Sequence, residues 1–598
     1  MTDIFRKLLF ILPKGDILKI VFLFVLMLIA AVIEVAGIGM IPAFVAIVAA
    51  PDRVLEVEFL FPFFEFLEIQ EARDLLIWGS VALVAIFIIK NIYLIAFFYL
   101  EARFLYNRRF LISLKLMRSY MQAPYTFHLQ RNTSELLRNA TNEVNVLSNI
   151  ILSNLLRMAK NGVMALAILI FLVVIEPLIT LFIFGISTLG AGTFILMTQK
   201  KMKMYGQEEL ERRNLMIKAV YEGLGGLKEA RVLNREKAFI EKYKIESYKS
   251  SQLMAFIKII QQIPKPVVEV LAVIGMLAIS AFMVWQGRPM STILPILTLF
   301  AMATVRLMPS IQSLSSMYAN LRYNLVSLDP LYDDLKELDQ SNIEFKTDRS
   351  IKEPLQLTKV IEISDLTYKY PGSEELAVRD INFTIQKGKA IALVGESGAG
   401  KTTMVDLLLG LLVPTEGKIL VDGKDIQNHL SAWQRNIGYI PQSIYLADDT
   451  LRQNIAFGIP EDQINEKKVI EAIELAQLDK LVKELPDGMD TVVGEHGSRL
   501  SGGQQQRVGI ARALYHKPQV LIMDEATSAL DNITEQHIIK AIENLKGERT
   551  IVMIAHRLTT VMNCDQLYLM DQGKIIDHGT YSELIENSNE FREMALET

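Results

Sequence analysis

An almost unbroken apolar stretch near the start of the chain constrains its fold more than any other feature. Residues 17–50 read ILKIVFLFVLMLIAAVIEVAGIGMIPAFVAIVAA, which is longer than the ~20 residues that a helix needs to cross a bilayer. The apolar region of a secretory signal peptide is shorter and is followed by a cleavage site of small residues. We therefore interpret the stretch as a retained membrane span. Because lipid supplies no water for backbone polar groups, the span is predicted to be helical.

Further apolar stretches follow, and with the first they predict six membrane-spanning helices. The additional spans lie at about 75–100, 149–173, 177–198, 266–286 and 290–310.

The composition supports a chain that is only partly embedded in a membrane. Of its 598 residues, 51% are apolar and 22% are charged, so a soluble part must accompany the apolar one, and this length implies at least two structural units. A net charge of −5 argues against a general nucleic-acid binder, which carries a basic surface. The single cysteine, Cys564, cannot form an internal disulfide.

The distribution of basic residues predicts the orientation of the spans. Segment 51–74 carries seven acidic and two basic residues, whereas 103–138 carries seven basic residues and 200–263 is also rich in Lys and Arg. The positive-inside rule makes the first segment external and the other two cytoplasmic, with both termini inside. Residues 2–12 are predicted to form an amphipathic helix on the inner surface. The five Phe and four acidic residues of segment 54–69 suit a position at the outer lipid surface; the alternative is a plain loop that packs against the first span.

The character of the sequence changes after residue 328. We predict a helical membrane domain over 1–328, a polar linker over 329–354 and an α/β domain over 355–598, where apolar strands alternate with helical patterns. The predicted fold class is thus an all-α domain of six transmembrane helices fused to an α/β nucleotide-binding domain with a largely parallel sheet.

A glycine-rich loop carries the strongest chemical signal. The run IALVGESGAGKTT at 391–403 places the G-x-x-x-x-G-K-T pattern between an apolar strand and a helix, which is the P-loop arrangement. Backbone amides and the helix N-terminus bind phosphates, Lys401 neutralises their charge and Thr402 can hold Mg²⁺. The predicted phosphate-binding residues are Gly395, Glu396, Ser397, Gly398, Ala399, Gly400, Lys401, Thr402 and Thr403.

Two motifs downstream separate this P-loop from those of GTPases and kinases. They are LSGGQQQR at 500–507 and VLIMDEATSALD at 520–531. With them the chain resembles the ATP-binding-cassette (ABC) family, whose signature is LSGGQ. The resemblance implies that Ser501, Gly502, Gly503 and Gln504 close over the nucleotide of a partner subunit, so that two ATP molecules lie between two copies.

Adjacent acids at the end of an apolar strand suit phosphoryl transfer. Asp524 suits coordination of Mg²⁺, and Glu525 is placed to orient and polarise the attacking water. The resemblance assigns Gln442, in GYIPQ, to the loop that touches both Mg²⁺ and the membrane half. Thr402, Gln442 and Asp524 are the predicted metal-site residues.

The resemblance assigns three further nucleotide contacts. Tyr370, in YKYPG, matches the aromatic residue that stacks on adenine, and Asp531 closes the D-loop, SALD. His556 ends another apolar strand; a lone His there can be a core residue, but the family match makes it the sensor of the γ-phosphate. ATP and Mg²⁺ are the implied cofactors, and because no catalytic position is degraded, a homodimer is favoured.

Two cytoplasmic segments are candidates for contact with the cassette. They are 122–129 (QAPYTFHL) and 223–236 (GLGGLKEARVLNRE), which we interpret as coupling helices. The alternative is that both are ordinary surface loops.

Charged residues inside the spans bear on the substrate. Burying them in lipid is costly, so each must be paired, lie at a membrane edge or face a wet cavity. One interpretation is that Glu34 pairs with Lys90 or Arg306 as structural support. The other is a polar pathway in which Lys90, Lys265 and Arg306 bind an anionic headgroup such as phosphate or pyrophosphate.

A closer resemblance favours the polar pathway. The runs SELLRNATNEVNVLS (134–148) and ATVRLMPSIQSL (303–314) are similar to PglK-type flippases, which move lipid-linked oligosaccharides from the inner to the outer leaflet. The resemblance implies that Lys90, Lys265 and Arg306 engage the pyrophosphate. Two of these positions carry Lys in place of Arg, which keeps the charge but loses the bidentate geometry.

These features predict an ATP-hydrolysing exporter or flippase that moves a lipid-linked oligosaccharide or other anionic amphiphile from the inner to the outer leaflet. They place it in a bacterial inner membrane with its cassette in the cytoplasm. The alternative within transport is a broad exporter of lipids or hydrophobic drugs. A protein of another class, a nucleotide-gated channel or regulator, is disfavoured because such proteins tend to lose the catalytic base or a signature, and here both are intact.

Overall fold

The chain divides into two compact units in the computed structural model. Residues 1–122 and 132–342 form the membrane unit, and residues 123–131 and 343–598 form the cassette unit. The structure describes residues 2–13, 15–49, 71–287, 290–340, 353–524, 545–554 and 558–597. The predicted surface segment 54–69 lies outside these residues.

The described part of the membrane unit is helical throughout. Its helices are α1 (Thr2–Ile11), α2 (Asp16–Ala49), α3 (Ala72–Gln122), α5 (Thr133–Arg138), α6 (Ser153–Ile175), α7 (Pro177–Gly225), α8 (Leu227–Val232), α9 (Glu236–Gln262), α10 (Pro264–Trp285), α11 (Met290–Asn324) and α12 (Leu328–Gln340); α4 (Tyr125–Gln130) belongs to the cassette unit. Two π-helical segments, Asn139–Glu143 and Val146–Leu152, connect α5 to α6.

Helices cover all six predicted spans. Among the described residues, four helical stretches are long and apolar enough to cross a membrane: Asp16–Val45, Arg73–Gln122, Thr133–Ile175 and Ile293–Ser310. The other two predicted spans lie within α7 and α10. Helices α3 and α7 contain 51 and 49 residues, more than twice what a bilayer requires, as expected for helices that project beyond the membrane.

Apolar side chains from four helices form the core of the membrane unit. Ile38 of α2, Ile168 of α6, Met283 of α10 and Phe300 of α11 are all buried in one cluster. Many other apolar residues on these helices are exposed, as expected of surfaces that face lipid or another subunit.

The predicted linker begins as a helix. Helix α12 starts at Leu328 and buries Leu328, Leu331 and Leu335, a helical spacing that anchors one face while the other stays polar. The polar composition of this segment concealed that pattern. Helix α1 forms as predicted and packs on α12, where Phe10 meets Tyr332 edge to face at 5.3 Å.

The cassette unit contains two sheets in its described residues. The strands are β1 (Val360–Lys369), β2 (Leu376–Gln386), β3 (Ala390–Val394), β4 (Glu416–Val421), β5 (Lys424–Asp425), β6 (Ile437–Ile440), β7 (Val520–Asp524), β8 (Thr550–Ile554), β9 (Gln566–Asp571) and β10 (Lys574–Gly579). The larger sheet has the strand order β10-β9-β3-β8-β7-β6 and is parallel except for the β10–β9 pair. The smaller sheet, β2-β1-β4-β5, is antiparallel and was not separately predicted.

Helices flank the parallel sheet and confirm the predicted α/β class. They are α13 (Lys401–Leu408), α14 (Leu430–Gln434), α15 (Leu451–Ile455), α16 (Glu466–Leu475), α17 (Asp479–Glu484), α18 (Gly502–Leu514), α19 (Leu558–Val561), α20 (Tyr581–Asn587) and α21 (Asn589–Glu597). Every residue of β3, β7 and β8 is buried, which explains their continuous apolar runs.

Candidate nucleotide site and membrane ion pairs

The glycine loop between β3 and α13 has the backbone that phosphate binding requires. Gly395, Gly398 and Gly400 all have positive φ angles, of 148°, 87° and 97°, which favour glycine. A Cβ atom at Gly395 would collide with the carbonyl oxygen of Met570. The loop can therefore follow this path only with glycine at that position.

Lys401 is held at the centre of this loop. Its Nζ donates hydrogen bonds to the carbonyl oxygens of Gly395 at 2.7 Å and Glu396 at 2.8 Å, and the residue is buried. Helix α13 begins at Lys401, and the preceding Gly400 provides no side-chain cap. The positive end of the helix thus faces the loop, an arrangement suited to an anionic ligand.

The sheet brings the other predicted residues to the same edge. Strand β7 pairs in parallel with β6, with Met523 opposite Ile440, and with β8, with Asp524 opposite Ile554. Asp524 ends β7, Gln442 follows β6, and the glycine loop follows β3. Ligands of open α/β sheets bind at this carboxyl edge.

The oxygen donors at this edge suit Mg²⁺. Thr402 and Gln442 are exposed, and Asp524 is largely buried; hydroxyl, amide and carboxylate oxygens are the groups that Mg²⁺ accepts, together with water and nucleotide phosphates. Within the described residues, no group of three or more His, Cys, Asp or Glu is arranged to hold a metal.

Tyr370 lies beside the first turn of α13. Its hydroxyl is 3.1 Å from Oγ1 of Thr403, and its ring meets Tyr368 edge to face with centroids 5.0 Å apart. These contacts position an aromatic ring next to the glycine loop, as its predicted contact with adenine requires.

Asp406, in α13, is an ionisable residue near Asp524 that the sequence analysis missed. Burial, with a further contribution from the charge of Asp524, raises the pKa of Asp406 to about 6. Burial, followed by the charges of Asp524 and Asp406, also raises the pKa of Tyr439. These residues come together through the packing of α13 beside strands β6 and β7, so their separation in the sequence gives no signal of it.

The signature motif forms the start of a separate helix. The Ser501 hydroxyl accepts a hydrogen bond from the Gln504 amide, and the Gln504 side chain accepts one from the Ser501 amide at 2.8 Å. This is a capping box. Ser501 and Gly502 are exposed, so the N-terminus of α18 is presented on the surface of the unit.

Three predicted site residues, Glu525, Asp531 and His556, lie outside the described residues. The strands that lead to two of them are described: β7 ends one residue before Glu525, and β8 ends two residues before His556.

The first predicted coupling segment belongs to the cassette unit by its contacts. Residues 123–131, which include α4, cluster with 343–598 although they lie between two parts of the membrane unit in sequence. Burial, followed by the charges of Asp406 and Tyr370, raises the pKa of Tyr125. The second segment, 223–236, contains α8 and exposes Val232 and Leu233; its role as a coupling helix stays a prediction.

Two of the predicted substrate cations are ion-paired with one carboxylate. Nζ of Lys90 lies 3.1 Å from Oε2 of Glu34, and Nε of Arg306 lies 2.9 Å from Oε1. The Glu34 and Lys90 side chains are each 2% exposed, whereas Arg306 is 40% exposed. Glu34 therefore pairs with both Lys90 and Arg306. These are the pairs that one interpretation of the sequence treats as structural support. Lys265 is the second residue of α10.

Comparisons with known proteins agree with this arrangement. The family model of the ABC transporter transmembrane region matches residues 20–308, and that of the ABC transporter matches residues 378–528. A solved structure of a bacterial Atm1-family ABC exporter with ATP bound has the same fold, with a TM-score of 0.72 and 22% identity, over 98% of this chain and 99% of that one.

Curated relatives are similar over most of the chain. An ATP-dependent lipid A-core flippase of Ralstonia nicotianae is 29% identical, covering 79% of each chain. Heavy metal tolerance factor 1 of Caenorhabditis elegans is 31% identical over 81% of this chain, which spans 60% of that longer protein.

The fold and the nucleotide site together define a membrane transport ATPase. It has one helical membrane region and one ATP-binding cassette. The chain belongs to the ABC exporters, as a half-transporter.

Proposed function

We propose that this exporter is a flippase that moves an anionic amphiphile, of the lipid-linked oligosaccharide class, from the inner to the outer leaflet of a bacterial inner membrane. The observation that carries the proposal is the geometry of Arg306. Its Nε pairs with Glu34, while 40% of the side chain stays exposed. Within a membrane helix, such a cation is costly unless it faces a wet cavity or a ligand.

Glu34 organises this cationic site. Two cations share its carboxylate, so the three side chains carry a net charge of +1. Lys90 is buried and ion-paired with Glu34, and we assign it the role of fixing the position of the Glu34 carboxylate. Arg306 offers its guanidinium edge to a phosphate or pyrophosphate, which it can bind in a bidentate manner. Lys265 is the third cation of the proposed site.

ATP hydrolysis drives the proposed movement. Thr402, Asp524 and Gln442 would hold Mg²⁺, which would neutralise charge at the phosphates. Lys401 binds the phosphates, Tyr370 stacks on the base, Glu525 orients and polarises the attacking water, and His556 contacts the γ-phosphate.

The proposed working form is a homodimer. The exposed N-terminus of α18, with Ser501 and Gly502, is suited to contact a phosphate on a second copy. Because the P-loop and the signature are both intact in this chain, two copies can form two equivalent sites, to which Asp531 contributes through the D-loop.

Reconstituted vesicles test the substrate proposal. Flipping of a fluorescent lipid-linked pyrophosphate sugar is measured beside that of a neutral glycolipid with the same fluorophore. We expect ATP-dependent flipping of the first, and a loss in Arg306→Gln that Arg306→Lys partly restores. Arg322→Gln, on the same helix but beyond the predicted span, is the matched control. Equal movement of both lipids, or an unaffected Arg306→Gln variant, contradicts the proposal.

The second candidate function is broad export of lipids or hydrophobic drugs. It is favoured by the burial of Lys90 against Glu34, which leaves fewer cations for a pyrophosphate. Stimulation of ATP hydrolysis by neutral lipids and drugs, without stimulation by the lipid-linked sugar, would establish this alternative.

A further inference from the structure

A buried carboxylate in the membrane unit joins the places where the chain leaves that unit. Oδ2 of Asp334, in α12, accepts a hydrogen bond from the Tyr120 hydroxyl at 2.6 Å and another from Nδ2 of Asn139 at 2.9 Å. Asp334 is 2% exposed, Tyr120 4% and Asn139 0%. Asp334 is 214 positions from Tyr120 and 195 from Asn139 in the sequence.

Their positions along the chain relate to the division into units. The chain passes between the two units three times, after residues 122, 131 and 342. Tyr120 lies just before the first passage, Asn139 lies shortly after the second, and Asp334 lies shortly before the third. One carboxylate therefore ties together the membrane-side ends of all three passages.

Neighbouring contacts extend this network. Arg138 donates a hydrogen bond to the Asn214 side chain of α7 and has the Glu143 carboxylate 3.7 Å from its Nε. The Ser113 hydroxyl of α3 donates to the carbonyl oxygen of Ala140 at 3.0 Å. These contacts hold the π-helical segment Asn139–Glu143 against α3 and α7, and π-helical turns are frequent at functional sites.

The directional bonds of this network give it a role that apolar packing does not provide. Leu331 and Leu335 bury one face of α12, but apolar contacts tolerate sliding, whereas hydrogen bonds to one buried oxygen fix a register. When the segment that carries α4 moves, the chain transmits the displacement to Tyr120 on one side and to Asn139 on the other. Because both residues are hydrogen-bonded to Asp334, α12 moves with them.

We infer that Asp334 is a positioning residue for coupling: it makes the membrane helices respond to the nucleotide state of the cassette. Asp334 is not among the residues predicted to bind nucleotide or substrate. Removing the Asp334 carboxylate leaves ATP binding intact, but the membrane helices no longer respond to ATP.

Hydrogen exchange of the full-length protein in lipid nanodiscs tests this inference without requiring a substrate. Exchange is compared with and without ATP and vanadate in Asp334→Asn, in Tyr120→Phe and in the parent. Nucleotide protects the glycine loop in all three. We expect the nucleotide-dependent change in α5 and α11 to fall on the order of tenfold in both variants, in the range that altered coupling produces.

Asp333→Asn is the matched control, because it makes the same change at the adjacent, exposed position of α12, and it should behave as the parent. A response of α5 and α11 that is unchanged in both variants overturns the inference. Tyr120→Phe decides the result if Asp334→Asn is unstable. Loss of the response in the cassette of Tyr120→Phe as well would also overturn it, since this indicates general damage.

Discussion

The Lys90 ammonium lies 3.1 Å from the Glu34 carboxylate, and both side chains are 2% exposed. Two opposite charges buried this deeply within membrane helices stabilise the bundle mainly by compensating each other, since either alone carries a large desolvation cost. Arg306 on α11 adds a second cation at 2.9 Å. The ion-paired cluster thereby connects α2, α3 and α11.

Removing Lys90 should destabilise the protein more than removing an exposed lysine of the same unit. Lys90→Met leaves Glu34 buried with only Arg306, and we expect a loss of about 3 kcal/mol, at the low end for a broken buried pair. The double variant Glu34→Gln/Lys90→Met should recover part of this loss. Unfolding in mixed micelles measures both, with Lys19→Met as the control. A cost for Lys90→Met no larger than that of the control contradicts the role of the pair.

Replacing Gly395 should abolish the shape of the phosphate loop. Gly395→Ala places a Cβ against the Met570 carbonyl oxygen at a positive φ angle, and we expect ATP binding to weaken roughly tenfold or more, since such backbone strain costs on the order of 1–3 kcal/mol. Binding of a fluorescent ATP analogue provides the measurement.

Gly372→Ala is the matched control for this prediction, because Gly372 also has a positive φ angle but has no atom within 4 Å of the added Cβ. Binding that weakens equally in both variants would attribute the effect to the φ angle alone and not to the contact with Met570.

Asp406 should make the stability of the protein depend on pH. Burial and the charge of Asp524 raise the pKa of Asp406 to about 6 from 3.8, so the folded state favours the protonated form. The stabilising contribution of protonated Asp406 is complete below the unfolded-state pKa of 3.8 and is lost as the pH rises through about 6. Asp406→Asn, which stays neutral, should therefore be more stable than the parent at pH 7 and above, and the difference should shrink as the pH falls towards 4.

Thermal unfolding of the two proteins across this pH range measures the difference. Asp422→Asn is a control at a residue whose pKa shifts in the opposite direction. Burial acts to raise the pKa of Asp422, but hydrogen bonds from Thr358, Val360 and Lys359 lower it to about 2. A pH-independent difference between the parent and Asp406→Asn would contradict the assignment.

The contact of α1 with α12 should depend little on its ion pair. Nζ of Lys7 lies 2.7 Å from Asp329, but the Asp329 side chain is 56% exposed, and exposed pairs contribute at most about 1 kcal/mol. Lys7→Ala should lower the melting temperature slightly, and high salt should remove the difference. Phe10→Ala should lower the melting temperature further, because it removes the ring contact between Phe10 and Tyr332. The reverse order of effects would show that the charges dominate this contact.

Features that are local in sequence were the ones that could be predicted. The strand, glycine turn and helix of residues 391–408 follow one another directly, so their order and residue types specify the phosphate loop. The apolar spans and the positive-inside pattern are likewise local. They predicted helices where α2, α3, α6, α7, α10 and α11 lie.

Features that depend on long-range contacts escaped prediction. Asp406 of α13 lies close enough to Asp524 of β7 for their charges to interact, and the hydrogen bond between Asp334 and Tyr120 joins residues 214 positions apart. The helix at Leu328–Gln340 was concealed because three leucines suffice to anchor it while its other residues are polar. The cost of a buried charge indicated that Glu34 would be paired, but the sequence left open whether its partner is Lys90 or Arg306. In the structure Glu34 pairs with both.

Cross-linking between two copies tests the central claim most directly. A chain with Ser397→Cys is mixed with a chain carrying Ser501→Cys, both with Glu525→Gln to retain ATP and with the buried native Cys564 replaced by alanine. If the glycine loop of one copy and the signature helix of the other enclose the same nucleotide, disulfide-linked dimers form on addition of ATP, and neither chain alone forms them. ATP retained at full occupancy with no cross-link between the chains would contradict the account.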